Sequence, residues 1–476
     1  MSPLSPGTRQ ARTVSRVIAL RQQVPAPLPE PLCSEVMDWI SLKRMSPSAP
    51  SADRSIRMRL TLLISLVAIG VFAQSPESRT RAILDQLLAG KCDALYAMFS
   101  PEMKGLITLD TFSDQMKQIA ALGPPESIGQ PHTTNVADST VIVIPVHWAN
   151  ISLNFQVSWN KAGQVNGTSW RLAEAAQTPW QPPTYVHPDS FTSIELTVGD
   201  DPWKLPATLT MPKGDGPFPA VVLVHGSGPE DRDETILGAK VFRDLAEGLS
   251  SHGVAVLRYV KRTKQYPQQC AADPKFTMNQ ETVDDALQAA VLLRTQPRID
   301  PAGVFVLGHS QGGYLAPRIM KRDLKLAGFI VLAGNVRPLE ELIIEQSQYI
   351  ASLKGTLSAP EQAELDAIKK NPLAESHLPE PYLADLRNYH PDLEAASLDM
   401  PMLILQGERD YQVTMKDFSL WRAALASHRN VTFHSYPKLN HLFIAGEGKP
   451  SPDEYTKPGH VDEQVILDIA HWVQRQ

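Results

Sequence analysis

The sequence predicts an α/β fold whose sheet is mainly parallel, preceded by a small α+β domain. Two patterns support this prediction. After residue 190, nearly continuous apolar runs alternate with amphipathic helical segments, as in parallel strands that are buried on both faces. Before residue 173, helical periodicity gives way to alternating apolar and polar residues, which is typical of half-buried antiparallel strands. A length of 476 residues also favours more than one domain.

The charge balance and the cysteines exclude several classes of protein. The net charge is −6 and the pI is about 6.1, so no basic surface for nucleic acid is expected. The three cysteines, Cys33, Cys92 and Cys270, lack the spacing of a metal or redox motif. We therefore expect no structural or catalytic metal. In an oxidising compartment, Cys92 and Cys270 either form a disulfide or remain buried thiols.

The N-terminal region has the features of a processing segment. Residues 1–57 are rich in Pro and Ser, and are predicted to be disordered or to result from a mis-assigned start, with Met58 as the true first residue. Residues 58–73 predict a signal peptide, because an arginine precedes a short apolar run that ends in small residues. The alternative is an uncleaved N-terminal anchor. Cleavage after Ala73 would leave no stable membrane span and predicts a secreted or periplasmic protein.

The small domain is predicted over residues 76–172. One apolar stripe of a helix is formed by Ile83, Leu84, Leu87 and Leu88, and a new element is expected at Ser100 and Pro101. The period-2 pattern of residues 140–172 predicts strands. A Pro-rich linker at 173–190 follows.

The second domain is predicted over residues 191–476. Between 337 and 399 the alternation of strands and helices stops, and polar helical segments take its place. We interpret this insertion as a helical cap above the sheet; the alternative is a plain surface excursion. The apolar runs that predict strands are 220–225, 254–259, 304–308, 327–333, 402–406 and 431–436.

A candidate nucleophile lies in the segment Gly308-His309-Ser310-Gln311-Gly312, which matches G-x-S-x-G. The motif alone is a weak signal in a chain of this length. A buried strand precedes it and a helix follows it, and this is the arrangement of a nucleophile elbow in the α/β-hydrolase fold. The context therefore predicts that Ser310 is exposed on a sharp turn in front of a helix N-terminus.

A serine hydroxyl needs a base, and the base needs a carboxylate that orients it. In this fold the acid and then the histidine follow the serine along the chain. Asp410 comes directly after a predicted strand, and Glu408 is the second candidate for the acid. His441 comes in a loop before the last helix, whereas His434 and His460 fit the required position less well.

Two backbone donors are expected to form an oxyanion hole. One is the N–H of Gln311, the residue after the nucleophile. The other is expected in the glycine-rich loop after the strand at 220–225, and we assign it to the N–H of Ser227. Glycines in this loop would let the backbone approach a substrate closely.

Four segments together resemble EstD-type bacterial carboxylesterases of the α/β-hydrolase superfamily, over about residues 190–476. The resemblance implies hydrolysis of short-chain carboxylic esters through an acyl-enzyme, without a cofactor, by Ser310, Asp410 and His441. Val260 departs from the family pattern, in which an acidic residue is expected, so no role is assigned to that segment. Residues 76–172 are similar to an uncharacterised domain found ahead of secreted esterases. The four segments are 225–233, 308–313, 407–413 and 440–443.

The sequence therefore supports three functional hypotheses. The first is an esterase acting on a small-molecule ester. The second is a serine peptidase of the prolyl-oligopeptidase type, although residues 76–172 are too short for the β-propeller that usually precedes such an enzyme. The third is a binding protein whose hydrolase domain is secondary.

Overall fold

The computed structural model describes residues 75–120, 122–136, 139–148, 151–172, 180–374, 376 and 378–476. The predicted disordered or mis-assigned start at 1–57 and the predicted signal peptide at 58–73 lie outside the described residues, as do residues 173–179 of the predicted linker. The chain divides into two compact units between residues 176 and 177.

The helices of the first unit are α1 (Pro76–Leu88), α2 (Asp93–Ala97), α3 (Pro101–Leu106) and α4 (Leu109–Ala120). Side-chain caps fix where two of them begin. The Ser75 hydroxyl accepts a hydrogen bond from the Ser78 N–H at 3.3 Å and caps α1. The Ser100 hydroxyl caps α3 through the Met103 N–H at 3.2 Å. An element therefore begins where the Ser100-Pro101 pair predicts one.

The sheet of the first unit contains β1 (Ser127–Ile128), β2 (His132–Val136), β3 (Ser139–Trp148), β4 (Ile151–Trp159) and β5 (Val165–Leu172). Both β1 and β2 pair with β3, and β4 and β5 follow, all antiparallel. Alternate residues of β3, Ile142 and Ile144, are fully buried in the core of the unit. The Trp159 indole N–H donates to the Thr80 hydroxyl at 2.9 Å, which ties β4 to α1.

The second unit is built on an eight-stranded sheet in the order β6-β7-β11-β8-β12-β13-β14-β15. Strand β7 is antiparallel to both of its neighbours, and all pairs from β11 to β15 are parallel. The predicted α/β fold with a mainly parallel sheet is confirmed. The strands are β6 (Phe191–Val198), β7 (Leu205–Pro212), β8 (Phe218–Val224), β11 (Ala255–Tyr259), β12 (Ile299–His309), β13 (Gly328–Leu332), β14 (Met402–Gly407) and β15 (Val431–Tyr436), and a separate ribbon is formed by β9 (Thr235–Ile236) and β10 (Ala239–Lys240).

Two strands of this sheet, β6 and β7, are absent from the six runs that predict strands. Most residues of β6 between Phe191 and Val198 are exposed, so the strand lacks a continuous apolar run. It lies at the edge of the sheet, where only one neighbour covers it.

Helices cover both faces of the sheet, and successive residues of each strand enter separate cores. On β8, Val222 and Val224 belong to the core with α8, α9 and α14, whereas Val221 and Leu223 belong to the core with α5 and α15. These helices are α5 (Val241–Ser251), α8 (Asp284–Arg294), α9 (Gln311–Arg322), α14 (Met415–Ala424) and α15 (Glu463–Val473), and two short helices, α6 (Arg262–Gln265) and α7 (Pro267–Ala272), follow β11.

The insertion between β13 and β14 is helical, as predicted. Its helices are α10 (Leu339–Leu353), α11 (Ala359–Lys370), α12 (Glu380–Asn388) and α13 (Pro391–Ala396). A buried ion pair holds its first residue. The Asp417 carboxylate, which is fully buried on α14, accepts hydrogen bonds from the N–H groups of Val336 and Arg337 and pairs with the Arg337 guanidinium at 2.7 Å.

In the part of the chain that the structure describes, no helix is both long enough and apolar enough to cross a membrane. The two described cysteines, Cys92 and Cys270, are buried free thiols rather than a disulfide. Burial raises the pKa of the Cys270 thiol to about 12, so the thiol stays protonated at neutral pH.

Replacing Asp417 with Ala should lower the free energy of unfolding of the second unit by about 3 kcal/mol, because the buried Arg337 guanidinium loses its buried counter-ion and keeps only its contacts with the partly exposed Glu345 and with Thr414. Urea unfolding followed by circular dichroism measures the change. Glu380→Ala is the matched control, because its ion pair with Arg387 is exposed and should contribute less than about 1 kcal/mol. Equal effects of the two substitutions would show that the buried pair does not hold the insertion.

Candidate active site

Ser310 occupies the turn between β12 and α9, with a φ of 52° and a ψ of −114°. A positive φ is unfavourable for a serine and requires support from the surrounding chain. The Ser310 N–H donates to the Leu332 carbonyl at 2.8 Å. A Cβ atom on Gly308 would overlap the Gly312 carbonyl, and one on Gly312 would overlap the Val224 carbonyl. The two glycines therefore allow β12, α9 and β8 to meet directly at the turn.

The predicted acid and the predicted base are in contact. The Asp410 Oδ2 atom lies 2.6 Å from the His441 Nδ1 atom, and both side chains are buried. The other carboxylate oxygen, Oδ1, accepts hydrogen bonds from the N–H groups of Gln412 at 2.7 Å and Val413 at 3.0 Å. These bonds orient the carboxylate so that Oδ2 accepts the His441 Nδ1 proton, which leaves Nε2 available to accept another proton.

The loop that carries His441 is shaped by the residue before it. The Asn440 side-chain oxygen accepts hydrogen bonds from the N–H groups of Leu442 at 3.0 Å and Ile444 at 3.2 Å. A Cβ atom on Gly407 would lie 2.5 Å from the Leu439 carbonyl oxygen, so only a glycine lets this loop pack against the end of β14. The sequence Asn-His-Leu-Phe is thus a local turn that presents the imidazole to Asp410.

The glycine-rich loop after β8 lies against the nucleophile. A Cβ atom on Gly226 would be 3.3 Å from the Ser310 Cβ atom. The Gly226 N–H donates to Glu234 Oε1 at 2.7 Å. Among the described residues, the N–H groups of Ser227 and Gln311 donate to no protein acceptor. Both predicted oxyanion donors are therefore available to a ligand.

A buried carboxylate and a buried histidine connect this loop to the histidine loop. Glu234 Oε2 lies 3.0 Å from His309 Nδ1, and His309 Nε2 lies 3.0 Å from the His441 carbonyl oxygen. Burial opposes both charges, but their mutual attraction prevails: it lowers the pKa of Glu234 and raises the pKa of His309. The ion pair thereby joins the residue before the nucleophile to the loops of Gly226 and His441.

Two other ionisable groups of the glycine-rich loop are neutral for the most part at pH 7. Burial lowers the pKa of His225 to about 4, and its Nε2 atom lies 3.0 Å from the Asp231 carbonyl oxygen. Burial of the carboxyl, together with the charge of Glu234, raises the pKa of Glu230 to about 8. These two side chains of the segment beside the unpaired N–H groups are therefore mainly uncharged at pH 7.

The alternative acid and bases lie elsewhere. Glu408 is exposed, His434 lies 3.8 Å from Asp468, and His460 is 3.1 Å from Asp244. Within the described ranges, no group of three or more His, Cys, Asp or Glu side chains is arranged to hold a metal ion.

Five buried residues around the site are not predicted from the sequence: Glu234, His309, Lys261, Glu281 and Tyr382. Lys261 lies just after the carboxyl end of β11, and parallel sheets place their functional sites at the carboxyl ends of strands. This position is the one signal in the sequence that could have identified Lys261. The others come from four different segments, so no local pattern relates them.

The comparison with known proteins decides the family. The chain is 36% identical to Esterase EstD of Thermotoga maritima over 427 residues, which are 87% of this chain and 100% of the relative. The chain belongs to this esterase family. The predictions of EstD-type membership and of an esterase-type hydrolase are therefore confirmed.

Two family models match separate parts of this chain, one in each of its two compact units. The prolyl oligopeptidase family matches residues 261–457, a range that includes Ser310, Asp410 and His441. A protein family of unknown function, DUF3887, matches residues 80–167. The predicted uncharacterised domain ahead of the hydrolase is therefore present.

Two solved structures are similar to the chain at low identity. A putative dienelactone hydrolase from Klebsiella pneumoniae is 17% identical, with a TM-score of 0.37 over 60% of this chain and 99% of its own. A Pyrococcus horikoshii acylaminoacyl peptidase is 12% identical, with a TM-score of 0.41 over 73% of this chain and 56% of its own. The fold of this protein is established by its own strand order and not by these alignments.

Replacing Glu234 with Gln should lower the pKa of His309, because burial then acts on the imidazolium without a compensating carboxylate. The raised pKa of His309 stabilises the fold fully below pH about 6.5, and this contribution is lost as the pH rises through the folded-state pKa. The lowered pKa of Glu234 stabilises the fold above pH about 4.3. This stabilising contribution is lost as the pH falls through the folded-state pKa of Glu234. The stability difference from wild type should therefore be largest between these two pH values.

Urea unfolding across a pH series measures this difference. The exposed Glu447 provides the control, since Glu447→Gln removes a carboxylate that faces solvent and should leave the pH profile unchanged. A Glu234→Gln difference that is the same at every pH would contradict a charged Glu234–His309 pair.

Proposed function

We propose that the second unit hydrolyses carboxylic esters through an acyl-enzyme formed on Ser310. The observation that carries this proposal is the buried 2.6 Å contact of Asp410 with His441, in loops adjoining a serine on a turn with positive φ. In the first step His441 Nε2 accepts the Ser310 hydroxyl proton as Oγ attacks the ester carbonyl carbon. The same proton then passes to the departing alkoxide, and the alcohol leaves.

The second half of the proposed reaction repeats the first with water. His441 removes a proton from water, the hydroxide adds to the acyl carbon, and the Ser310 Oγ atom leaves with that proton. The carboxylic acid is released and the serine is restored. In both halves the negative charge on the carbonyl oxygen is stabilised by the N–H groups of Ser227 and Gln311. The Asp410 carboxylate stabilises the imidazolium that forms in each half.

We assign the substrate to the class of small esters with short acyl chains. The assignment is supported by membership of the EstD esterase family and by the packing of the insertion against the nucleophile turn, where the Tyr382 hydroxyl lies 2.7 Å from Gln311 Nε2. A side chain of the insertion therefore lies beside the residue that follows Ser310, and we expect it to limit the length of the acyl chain.

A second candidate activity is amide hydrolysis, because residues 261–457 match the prolyl oligopeptidase family. Amide and ester cleavage use the same nucleophile, base and oxyanion donors. They differ in the leaving group, since an amine must be protonated before it departs. The two activities are therefore distinguished by substrate, not by which residues act.

Replacing Ser310 with Ala should reduce kcat for p-nitrophenyl acetate at least about 10⁴-fold, because no oxygen remains to form the acyl-enzyme. Ser227→Ala serves as the control, since it removes a side chain but keeps the backbone N–H that the mechanism uses. Circular dichroism should show both variants folded. Retention of wild-type activity by Ser310→Ala would refute the assigned nucleophile.

A series of p-nitrophenyl esters from acetate to palmitate should give the highest kcat/KM with acyl chains of about two to four carbons if the insertion restricts the acyl site. The matching p-nitroanilides of amino acids test the second candidate. Anilide hydrolysis with a kcat/KM equal to that of the best ester would favour a peptidase, and a maximum at palmitate would contradict the short-chain assignment.

A further inference from the structure

A buried lysine contacts both segments that carry the proposed oxyanion donors. Lys261 follows β11, and its side chain is only 2% exposed. Its Nζ atom lies 2.8 Å from the Gly226 carbonyl oxygen and 3.2 Å from Gln311 Oε1. Its third contact is an ion pair of 2.8 Å with Glu281 Oε1. The ammonium thus donates hydrogen bonds to Gly226 and Gln311 and forms an ion pair with Glu281.

The contact with Gly226 acts on the peptide that contains the Ser227 N–H. In a trans peptide the C=O of one residue and the N–H of the next lie in one plane and point in opposite directions. A hydrogen bond from the ammonium to the Gly226 oxygen therefore sets the direction of the Ser227 N–H. It also draws electron density toward that oxygen, which makes the N–H a stronger donor.

The contact with Gln311 acts on the other donor. Gln311 is the first residue of α9, so its backbone N–H has no partner within the helix. Its side chain is held at both ends. Oε1 accepts from Lys261, and Nε2 lies 2.7 Å from the Tyr382 hydroxyl and 3.3 Å from Glu281 Oε2. Fixing the Gln311 side chain limits the conformations of the turn, and the turn sets the direction of the Gln311 backbone N–H.

Glu281 pairs with the lysine and links it to the insertion. It lies in one turn of π-helix, Asn279–Val283, immediately before α8, and its side chain is 1% exposed. Insertions of this kind in a helix are frequent at functional sites. The Tyr382 hydroxyl of α12 donates to Glu281 Oε2. A single hydrogen-bonded network therefore joins the oxyanion loop, the nucleophile turn and the insertion.

We infer that Lys261 is a positioning residue that holds the two oxyanion donors at the separation and direction the reaction needs. The inference rests on the proposed function, since it assigns Lys261 a part in that mechanism. Lys261 acts through the Gly226–Ser227 peptide and the Gln311 side chain. Its effect belongs to the transition state, because the carbonyl oxygen becomes fully charged only there.

The test uses the double substitution Lys261→Met with Glu281→Gln in the full chain, which removes both charges and leaves no unpaired ion. We expect kcat and kcat/KM for p-nitrophenyl acetate to fall together by about 10- to 100-fold with KM nearly unchanged, because a loss of this size matches a weakened oxyanion donor. Phenylboronic acid, whose serine adduct places an anionic tetrahedral group at the same donors, should bind weaker by a similar factor.

The matched control is Arg262→Met with Asp285→Asn. This neighbouring ion pair is also buried, and the Arg262 guanidinium lies over the Trp203 ring. It has no hydrogen bond with Gly226 or Gln311 among the described contacts, so kcat and boronate affinity should stay at the wild-type values. The assays are run well below the melting temperature of every variant.

A second pair of substitutions keeps the test valid if the first double variant does not fold. Tyr382→Phe should lower kcat about fivefold, the kinetic equivalent of one ordinary hydrogen bond. Tyr389→Phe is its control, because the Tyr389 hydroxyl, also buried in the insertion, donates to the Tyr314 carbonyl outside the network.

Two results separate the inference from the function on which it rests. If the folded Lys261→Met, Glu281→Gln variant keeps kcat and boronate affinity within twofold of wild type while Ser310→Ala is inactive, the role of Lys261 is refuted and the proposed function stands. If Ser310→Ala is active, the proposed function itself fails. Should only the Tyr variants fold, equal kcat values for the two would refute the network.

Discussion

The direct contact of three backbone segments at Ser310 is the constraint on which the rest of the site depends. With no side chain on Gly308 or Gly312, the end of β12, the start of α9 and the Val224 carbonyl of β8 meet at van der Waals distance. The serine is thereby forced to a φ of 52°, a conformation that an unsupported serine would leave. Every other group at the site is placed relative to this turn.

Buried charges then fix the glycine-rich loop from both sides. The carboxylate of Glu234 accepts from the Gly226 N–H, and the ammonium of Lys261 donates to the Gly226 carbonyl. Each charge has its own buried counter-ion, His309 for Glu234 and Glu281 for Lys261. Isolated charges at these depths would be strongly unfavourable, and pairing offsets that cost. A loop rich in glycine would otherwise be conformationally free, and the two ion pairs remove that freedom.

The sequence predicts the parts of the site that depend on strands and chain order. The strand before Ser310, the position of Asp410 after a strand and the loop of His441 all follow from local patterns, and the structure brings Asp410 and His441 into contact. The edge strand β6 is missed because its exposed residues break the apolar run that marks buried strands. Strand β7 is almost wholly buried, but Thr208 and Thr210 interrupt its apolar run. The contacts of Lys261 with Glu281 and Gln311 join segments that are 20 to 50 residues apart. Periodicity describes one element at a time and cannot encode such contacts.

The insertion is attached to the sheet domain in a different way from the helices around the sheet. Helices α5 and α15 are held by apolar side chains, whereas the insertion also depends on the buried pair of Arg337 with Asp417 and on the Tyr382 hydroxyl at the nucleophile turn. Directional contacts of this kind fail when the geometry shifts, while apolar packing tolerates small shifts. A displacement of α12 would therefore first break the hydrogen bonds of Tyr382 with Gln311 and Glu281. The insertion thus contacts the network that contains Gln311 and Glu281, so the position of α12 and the geometry of the nucleophile turn are physically coupled.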